Sequence, residues 1–241
     1  MQNTEFRTGA INPIECVKEG WELIKSDYWL LFGITIVGAL IGSATMYVLL
    51  GAMSCGIYYA YLEKIDGRSI SFETLFKGID WFAPSLIVIL LIIVPTIVIY
   101  ILIYVFFIAA LVVGQGVAGE AGMIGGLFGA GVISLLLVLA MICLHTLMMF
   151  AIPLIVDRKL GAVDAMKTSA RAVLKNLGGI GGLIAVNFVI LFVGQLALCI
   201  GAYFALPILM AGNVMAFRKV FPKHGDLTPI FQNRSNFDAN L

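Results

Sequence analysis

The distribution of charge along the chain constrains its fold more than any other feature. All fifteen Lys and Arg residues lie in four polar segments, residues 1–27, 63–80, 157–176 and 218–241. The three apolar blocks between these segments contain a single formally charged residue, Glu120. About 20 consecutive apolar residues cross a hydrocarbon core of roughly 30 Å. The pattern therefore predicts an all-α integral membrane protein, and it excludes a soluble domain, in which about 25% of residues are charged against 12% here.

The lengths of the apolar blocks predict about six transmembrane helices in three hairpins. Residues 28–62 are too long for one span and fit two short ones, with a turn near Gly42 to Gly51. Residues 177–217 divide in the same way near Cys199 to Gly201. In the middle block a Gly-rich connection, residues 114–131, separates spans near 84–113 and 132–156. A span plus a re-entrant helix remains the alternative for the first block.

The positive-inside rule supports an even number of spans in each block. An even number places every basic residue on one face, which must then be cytoplasmic. A single span in the first block would instead move Lys64, Arg68 and Lys77 to the opposite face. We therefore expect both the N-terminus and the C-terminus to be cytoplasmic.

Each hairpin is preceded by a segment with the pattern of an amphipathic helix. The first segment begins at Asn12-Pro13 and the second at Ser71, and the third runs from Ala162 to Asn176. Their apolar sides are Val17, Trp21 and Ile24; Phe72, Leu75, Phe76 and Ile79; and Val163, Met166, Ala170, Val173 and Leu174. We expect these helices to lie in the interface plane with those sides towards acyl chains. The alternative is that they are cytosolic connecting loops.

This organisation predicts a single membrane domain, residues 1–217, built from three similar units. The units are roughly 13–62, 71–156 and 161–217, and residues 218–241 form a short, flexible cytoplasmic tail. The match of Glu15–Gly20 to Asp164–Ser169 locates the unit boundaries.

Three short motifs carry a resemblance to a known group of proteins. They are Gly20-Trp21-Glu22-Leu23-Ile24-Lys25, Phe72-Glu73-Thr74-Leu75-Phe76-Lys77-Gly78 after Gly67, and Ala165-Met166-Lys167-Thr168-Ser169 with Lys175-Asn176. With these the chain resembles a family of bacterial six-helix integral membrane proteins of unknown function. That family is related to the membrane domain of some glycerophosphodiester phosphodiesterases. The resemblance covers most of residues 13–217. It implies an architecture and a location in a bacterial cytoplasmic (inner) membrane, without assigning an activity.

Few polar residues fall within the predicted spans, and they are the candidates for intramembrane function. They are His145 in the fourth span and Asn187 and Gln195 in the fifth. A proton relay or metal site at His145 would need ionisable partners that the spans do not supply. Bonds between helices are the simpler interpretation of all three residues. We expect no catalytic residue, no metal or cofactor site and no nucleic-acid partner.

Three functions remain open on the sequence alone. The first is a non-catalytic protein, either an accessory or scaffold subunit of a membrane complex or a membrane-organising factor. Its partners would be lipids, other membrane subunits or a second copy of the chain. The second is a small solute transporter or channel that uses the intramembrane polar residues. The third is an enzyme acting on lipids at the cytoplasmic face, where Asp66, Asp80, Asp157 and Asp164 lie. The basic residues of the third polar segment could instead contact anionic lipid headgroups: Arg158, Lys159, Lys167, Arg171 and Lys175.

Overall fold

The computed structural model describes residues 6–196 and 200–223, apart from the side chains of Val117 and Ala118. Over these residues the regular structure is entirely helical, as predicted. The elements are α1 (Pro13–Ile24), α2 (Tyr28–Ala44), α3 (Leu50–Ile65), a 3-10 helix (Phe72–Trp81), α4 (Phe82–Leu147), α5 (Ala151–Arg158), α6 (Ala162–Lys175), α7 (Leu177–Leu196) and α8 (Ile200–Val220). The predicted turn residue Cys199 and the tail from His224 onward lie outside the described residues.

Four described helical stretches are long and apolar enough to cross a membrane, and a fifth is possible. The four are Phe72–Gly116, Gly119–Arg158, Leu177–Leu196 and Ile200–Val220. The fifth would combine α1 with α2, which meet at an angle of 104°. The count is below the six that the sequence predicts because α2 has 17 residues and α3 has 16. At 1.5 Å per residue these helices are only about 25 Å long.

The Gly-rich segment 114–131, predicted as a connection between two spans, is itself helical. Helix α4 reverses direction at Gly119, whose φ of +60° favours glycine, so that its two arms lie side by side. A Cβ on Gly114 would lie 2.7 Å from the carbonyl oxygen of Gly122, and one on Gly126 would lie 3.3 Å from Cα of Ala110. The glycines therefore allow close packing of the two arms.

Two further helix pairs pack antiparallel. Along α2 and α3, the hydroxyl groups of Thr35 and Tyr61 lie 3.1 Å apart, and Gly42 contacts Leu50 near the turn. Along α7 and α8, Gly194 packs against the backbone of Ala202. Each of these two pairs joins helices that are neighbours in the chain, as the two arms of α4 are.

The 3-10 helix lies directly on α3, with main chain against main chain. A Cβ on Gly56 would overlap the carbonyl oxygen of Leu75, and a Cβ on Gly78 would overlap the carbonyl oxygen of Ala52. Leu75 is completely buried in this contact. The sequence periodicity predicts a helix here, and the structure contains one, wound more tightly than an α-helix.

Candidate functional site

The four polar segments meet at one end of the molecule, where ion pairs join them. Lys64 in the second segment pairs with Asp27 in the first. Arg218 in the fourth segment pairs with Asp157 in the third, with 2.8 Å between Nη1 and Oδ1. Lys219 lies 3.0 Å from Glu19 in the first segment. We call this set of interacting charged residues the polar end. It engages Asp66 and Asp157, two of the four aspartates that an interfacial enzyme could use.

Arg218 is the centre of the most buried part of the polar end. Its side chain is 11% exposed and also lies 3.4 Å from Asp66, which is 10% exposed. Lys223 and Arg68 approach the same Asp66 carboxylate at 2.6 and 2.9 Å. The last turns of α3, α5 and α8 are therefore tied together by charge-assisted bonds, which are stronger than neutral ones.

A second ion pair stabilises the connection between α1 and α2. The ammonium group of Lys64 donates to the carboxylate of Asp27, as does the hydroxyl of Ser26. The bond from Lys64 has the larger effect, and the two bonds together hold the pKa of Asp27 below its ordinary value. Bonding to the charged form of a carboxyl group has this effect. The pair joins the end of α3 to the sharp bend that follows α1.

The break between α4 and α5 is held by a serine on α6. The Ser169 hydroxyl donates to the carbonyl oxygen of Leu147 at 2.6 Å and accepts from the N–H of Phe150 at 3.1 Å. Both backbone groups lie at the interruption, where they lack helical partners. Because Ser169 is completely buried, the hydroxyl fixes how α6 docks on the span before it.

The predicted amphipathic segments pack small residues, and part of their apolar side, against the helix bundle. Each buries small residues against the bundle, as with Cys16 and Gly20 in α1 and Ala165 and Ala172 in α6. Much of the bulky apolar side stays exposed: Ile14, Trp21, Phe72, Phe76, Ile79, Val163 and Leu174. The prediction was wrong for Ile24, Leu75 and Val173, which are fully buried in the protein, because these helices dock on neighbouring helices.

The intramembrane polar candidates are bonded in different places. His145 has an exposed ring whose Nδ1 lies 2.9 Å from the carbonyl oxygen of Met141, in its own helix. Asn187 on α7 donates to Oδ1 of Asn213 on α8 at 3.0 Å. Gln195 is exposed near the end of α7 and interacts with other residues. His145 and Asn187 therefore bond to different residues on different helices.

The headgroup candidates divide into two groups. Arg158 is half-buried, lies 3.1 Å from Asp157, and donates to the carbonyl oxygen of Pro222. The other four side chains are exposed: Lys159, Lys167, Arg171 and Lys175. Arg158 therefore belongs with the polar end, whereas the three basic residues of α6 face outward at a spacing of four residues.

Sequence reasoning missed the Arg218 cluster, although its residues all stand at helix ends in the polar segments. A signal was available, since Asp157 and Arg218 directly follow apolar blocks and Asp66 lies four residues after one. In the described part of the chain, no group of three or more His, Cys, Asp or Glu residues is arranged to hold a metal ion.

The chain matches no protein-family model, and neither a curated protein nor a solved structure is similar to it.

Proposed function

We propose that this protein is a non-catalytic integral membrane protein, either an accessory or scaffold subunit of a membrane complex or a factor that organises the bilayer around it. Its helix pairs cross the membrane as three hairpins. The polar end faces the cytoplasm of a bacterial cell, and both termini lie on that side. The resemblance to six-helix bacterial membrane proteins stays a prediction that agrees with this architecture.

The ion pairs of the polar end carry this proposal. They join residues of all four polar segments, which supports a path in which the chain returns to the same end after each apolar block. They also engage Asp66 and Asp157 in bonds between helices. A carboxylate held by an arginine in this way is better suited to fixing helix ends than to proton transfer. The exposed apolar surface of α4 would face lipid or a membrane partner.

Cysteine labelling in sealed membranes tests the topology. In a chain freed of its native cysteines, Glu73→Cys and Lys167→Cys report the second and third polar segments, and Glu120→Cys reports the reversal of α4. We expect the first two to react with an impermeant maleimide from one side and Glu120→Cys from the other. Labelling of Glu73→Cys and Lys167→Cys from opposite sides would contradict the three-hairpin arrangement.

Reconstitution separates the proposed role from transport and catalysis. Sealed vesicles containing the full chain should retain a pH gradient and small solutes as well as protein-free vesicles do, and their phospholipids should remain intact. Extraction in native-membrane discs should recover a second protein in a fixed molar ratio, or a lipid composition unlike that of the bulk membrane. Solute flux or lipid turnover by the purified chain would refute the proposal.

One observation favours a transporter or channel as the second candidate. The buried Oδ1 of Asn187 has no hydrogen-bond partner among the described residues. An unsatisfied acceptor within a membrane is costly unless water or a solute donates to it. Flux that is present in vesicles and lost on Asn187→Leu, but kept on His145→Ala, would favour this candidate.

A further inference from the structure

Most basic side chains of the described chain are already engaged. They form the ion pairs of the polar end, a contact within α1 between Lys25 and Glu22, and a contact of Lys77 with the ring of Tyr59. Arg7 also interacts with other residues. The basic residues that form no ion pair with a described residue and no ring contact are Lys18, Lys159, Lys167, Arg171 and Lys175. Four of these five lie between residues 159 and 175.

Helix α6 presents three sectors that fit the edge of a bilayer. Its small side chains face the protein: Ala165, Thr168, Ser169 and Ala172 are buried. An apolar stripe, Val163, Met166, Ala170 and Leu174, lies beside this buried sector, with Val163 52% and Leu174 57% exposed. The third sector, Asp164, Lys167, Arg171 and Lys175, is exposed and charged.

The order of these sectors determines how α6 would sit. With its buried sector docked on the span before it, the apolar stripe turns towards the hydrocarbon and the charged sector towards the headgroups. An amphipathic helix in the interface plane has this arrangement. The three basic residues recur every four positions, so they form one row along the helix.

We propose that α6 binds the headgroups of anionic phospholipids through Lys167, Arg171 and Lys175 while its apolar stripe contacts their acyl chains. This inference rests on the proposed function, because it requires that the polar end lie at a membrane surface. Anionic phospholipid is then a binding partner that the protein enriches in the bilayer around it. We choose an anionic lipid as the ligand because its charge complements that of the outward sector. This sector contains three basic residues and one acidic residue, a net charge of +2.

Helix α1 provides an internal comparison for the charge. Lys18 corresponds to Lys167 in the repeated unit, and α1 has the same order of buried, apolar and charged sectors. Its charged sector contains Glu15, Lys18, Glu22 and Lys25, and the charges of these four residues sum to zero. The same geometry without net positive charge should show no preference for anionic lipid.

The test measures which lipids the full chain retains. Wild-type protein and variants are equilibrated with detergent micelles containing equal amounts of phosphatidylglycerol and phosphatidylcholine, and the lipids retained after washing are quantified by mass spectrometry. The variants are K167Q, K18Q and the triple substitution K167Q/R171Q/K175Q. Parallel samples contain 1 M salt or added inorganic phosphate.

We expect wild type and K18Q to be enriched in phosphatidylglycerol to the same extent. Loss of one charge in K167Q should lower the enrichment about fivefold, equivalent to about 1 kcal/mol per basic residue near the surface. The triple variant should abolish the enrichment. High salt should weaken it, because the screening length falls from about 10 Å at 0.1 M to about 3 Å at 1 M. Phosphate at equal concentration should not compete, since it lacks the acyl chains.

Three results would overturn the inference: undiminished enrichment in the triple variant, an equal loss in K18Q and K167Q, or full competition by inorganic phosphate. If the triple variant fails to fold, the salt dependence of the wild type and the comparison of K18Q with K167Q still test whether α6 binds anionic lipid. A negative result here would leave the topology and reconstitution tests unaffected, so that failure of this inference is distinguishable from failure of the proposed function.

Discussion

Replacing Gly56 by alanine tests how closely α3 and the 3-10 helix are packed. The added Cβ would overlap the carbonyl oxygen of Leu75 and lie 2.8 Å from its carbonyl carbon. The obstacle is main chain, so a change of rotamer cannot relieve it and the 3-10 helix must shift. Overpacking costs about 1–3 kcal/mol, occasionally more. We expect Gly56→Ala to reach the upper end of that range, because Leu75 would lose its complete burial.

Thermal unfolding in mild detergent, followed by the loss of the monodisperse peak on size exclusion, measures this cost. A loss of about 3 kcal/mol should lower the Tm by roughly 6–12 °C in a chain of this size. Gly181→Ala on α7 is the matched control, since a Cβ there meets nothing within 4 Å. The control should leave the Tm unchanged or raise it, because alanine favours a helix over glycine by about 0.5–1 kcal/mol.

The variant with both Gly56→Ala and Gly78→Ala tests whether a single contact is responsible. Both glycines lie in the same main-chain contact, so the double variant should lose less stability than the sum of the two single losses. If Gly56→Ala unfolds at the same temperature as Gly181→Ala, the close approach of α3 and the 3-10 helix is refuted.

Three further predictions concern the bonds that join the helix ends. Arg218→Gln should destabilise the protein by about 1.5–3 kcal/mol, because Asp157 and Asp66 each lose a charged hydrogen-bond partner while Arg158 and Lys223 stay beside them; a double-mutant cycle with Asp157→Asn should show strong coupling in thermal unfolding. Ser169→Ala should cost about 1–3 kcal/mol, since two buried backbone groups at the helix break lose their partner. The lowered pKa of Asp27 means that its pair with Lys64 stabilises the fold above the unfolded pKa of about 3.9, and that this contribution is lost as the pH falls through the folded pKa. The Tm measured between pH 5 and 3 should therefore fall more in wild type than in Lys64→Gln.

Exposed positions supply the controls for these predictions. Arg171→Gln removes an outward basic residue and should change stability by less than about 0.5 kcal/mol. Ser43→Ala removes an exposed hydroxyl bonded to its own helix and should be equally mild. If Arg218→Gln or Ser169→Ala behaved like its control, the corresponding bond would not contribute to stability as argued here.

The sequence predicts the helical fold well because charge and hydropathy act locally. The start of α1 is an example: the predicted cap Asn12 does accept a hydrogen bond from the N–H of Glu15, at 3.5 Å. The same kind of pattern places α6 correctly at Ala162–Lys175.

The sequence predicts less well which side of a helix is buried, because this depends on the neighbouring helix. The apolar sides of α1 and α6 are expected to face acyl chains, and Trp21 and Leu174 do stay exposed, but Ile24 and Val173 are fully buried. Small residues such as Gly20 and Ala172 permit the close docking that buries them. A cluster of glycines is equally ambiguous. In segment 114–131 it suggests a loop, but between two adjacent helices it allows a tightly packed reversal.

The ion-pair cluster could not be predicted as a unit, since Asp66, Asp157 and Arg218 are far apart in the chain. Only the order in which the helices pack brings them together. Asn187 is a simpler case, because a polar side chain within a span needs a partner and one on the following helix is nearest.

The unequal lengths of the helix pairs have a consequence for the surrounding lipid. The first arm of α4, residues 82–116, is about 52 Å long and α2 only about 25 Å. If both cross the membrane, as we propose, a hydrocarbon layer of about 30 Å cannot match both when they stand upright. The longer pair would then lean by roughly 55°, or the lipid would thin on one flank and thicken on the other, at a fraction of a kcal/mol per ångström. Acyl-chain length would then act on this protein as a mechanical variable, changing its tilt without any ligand.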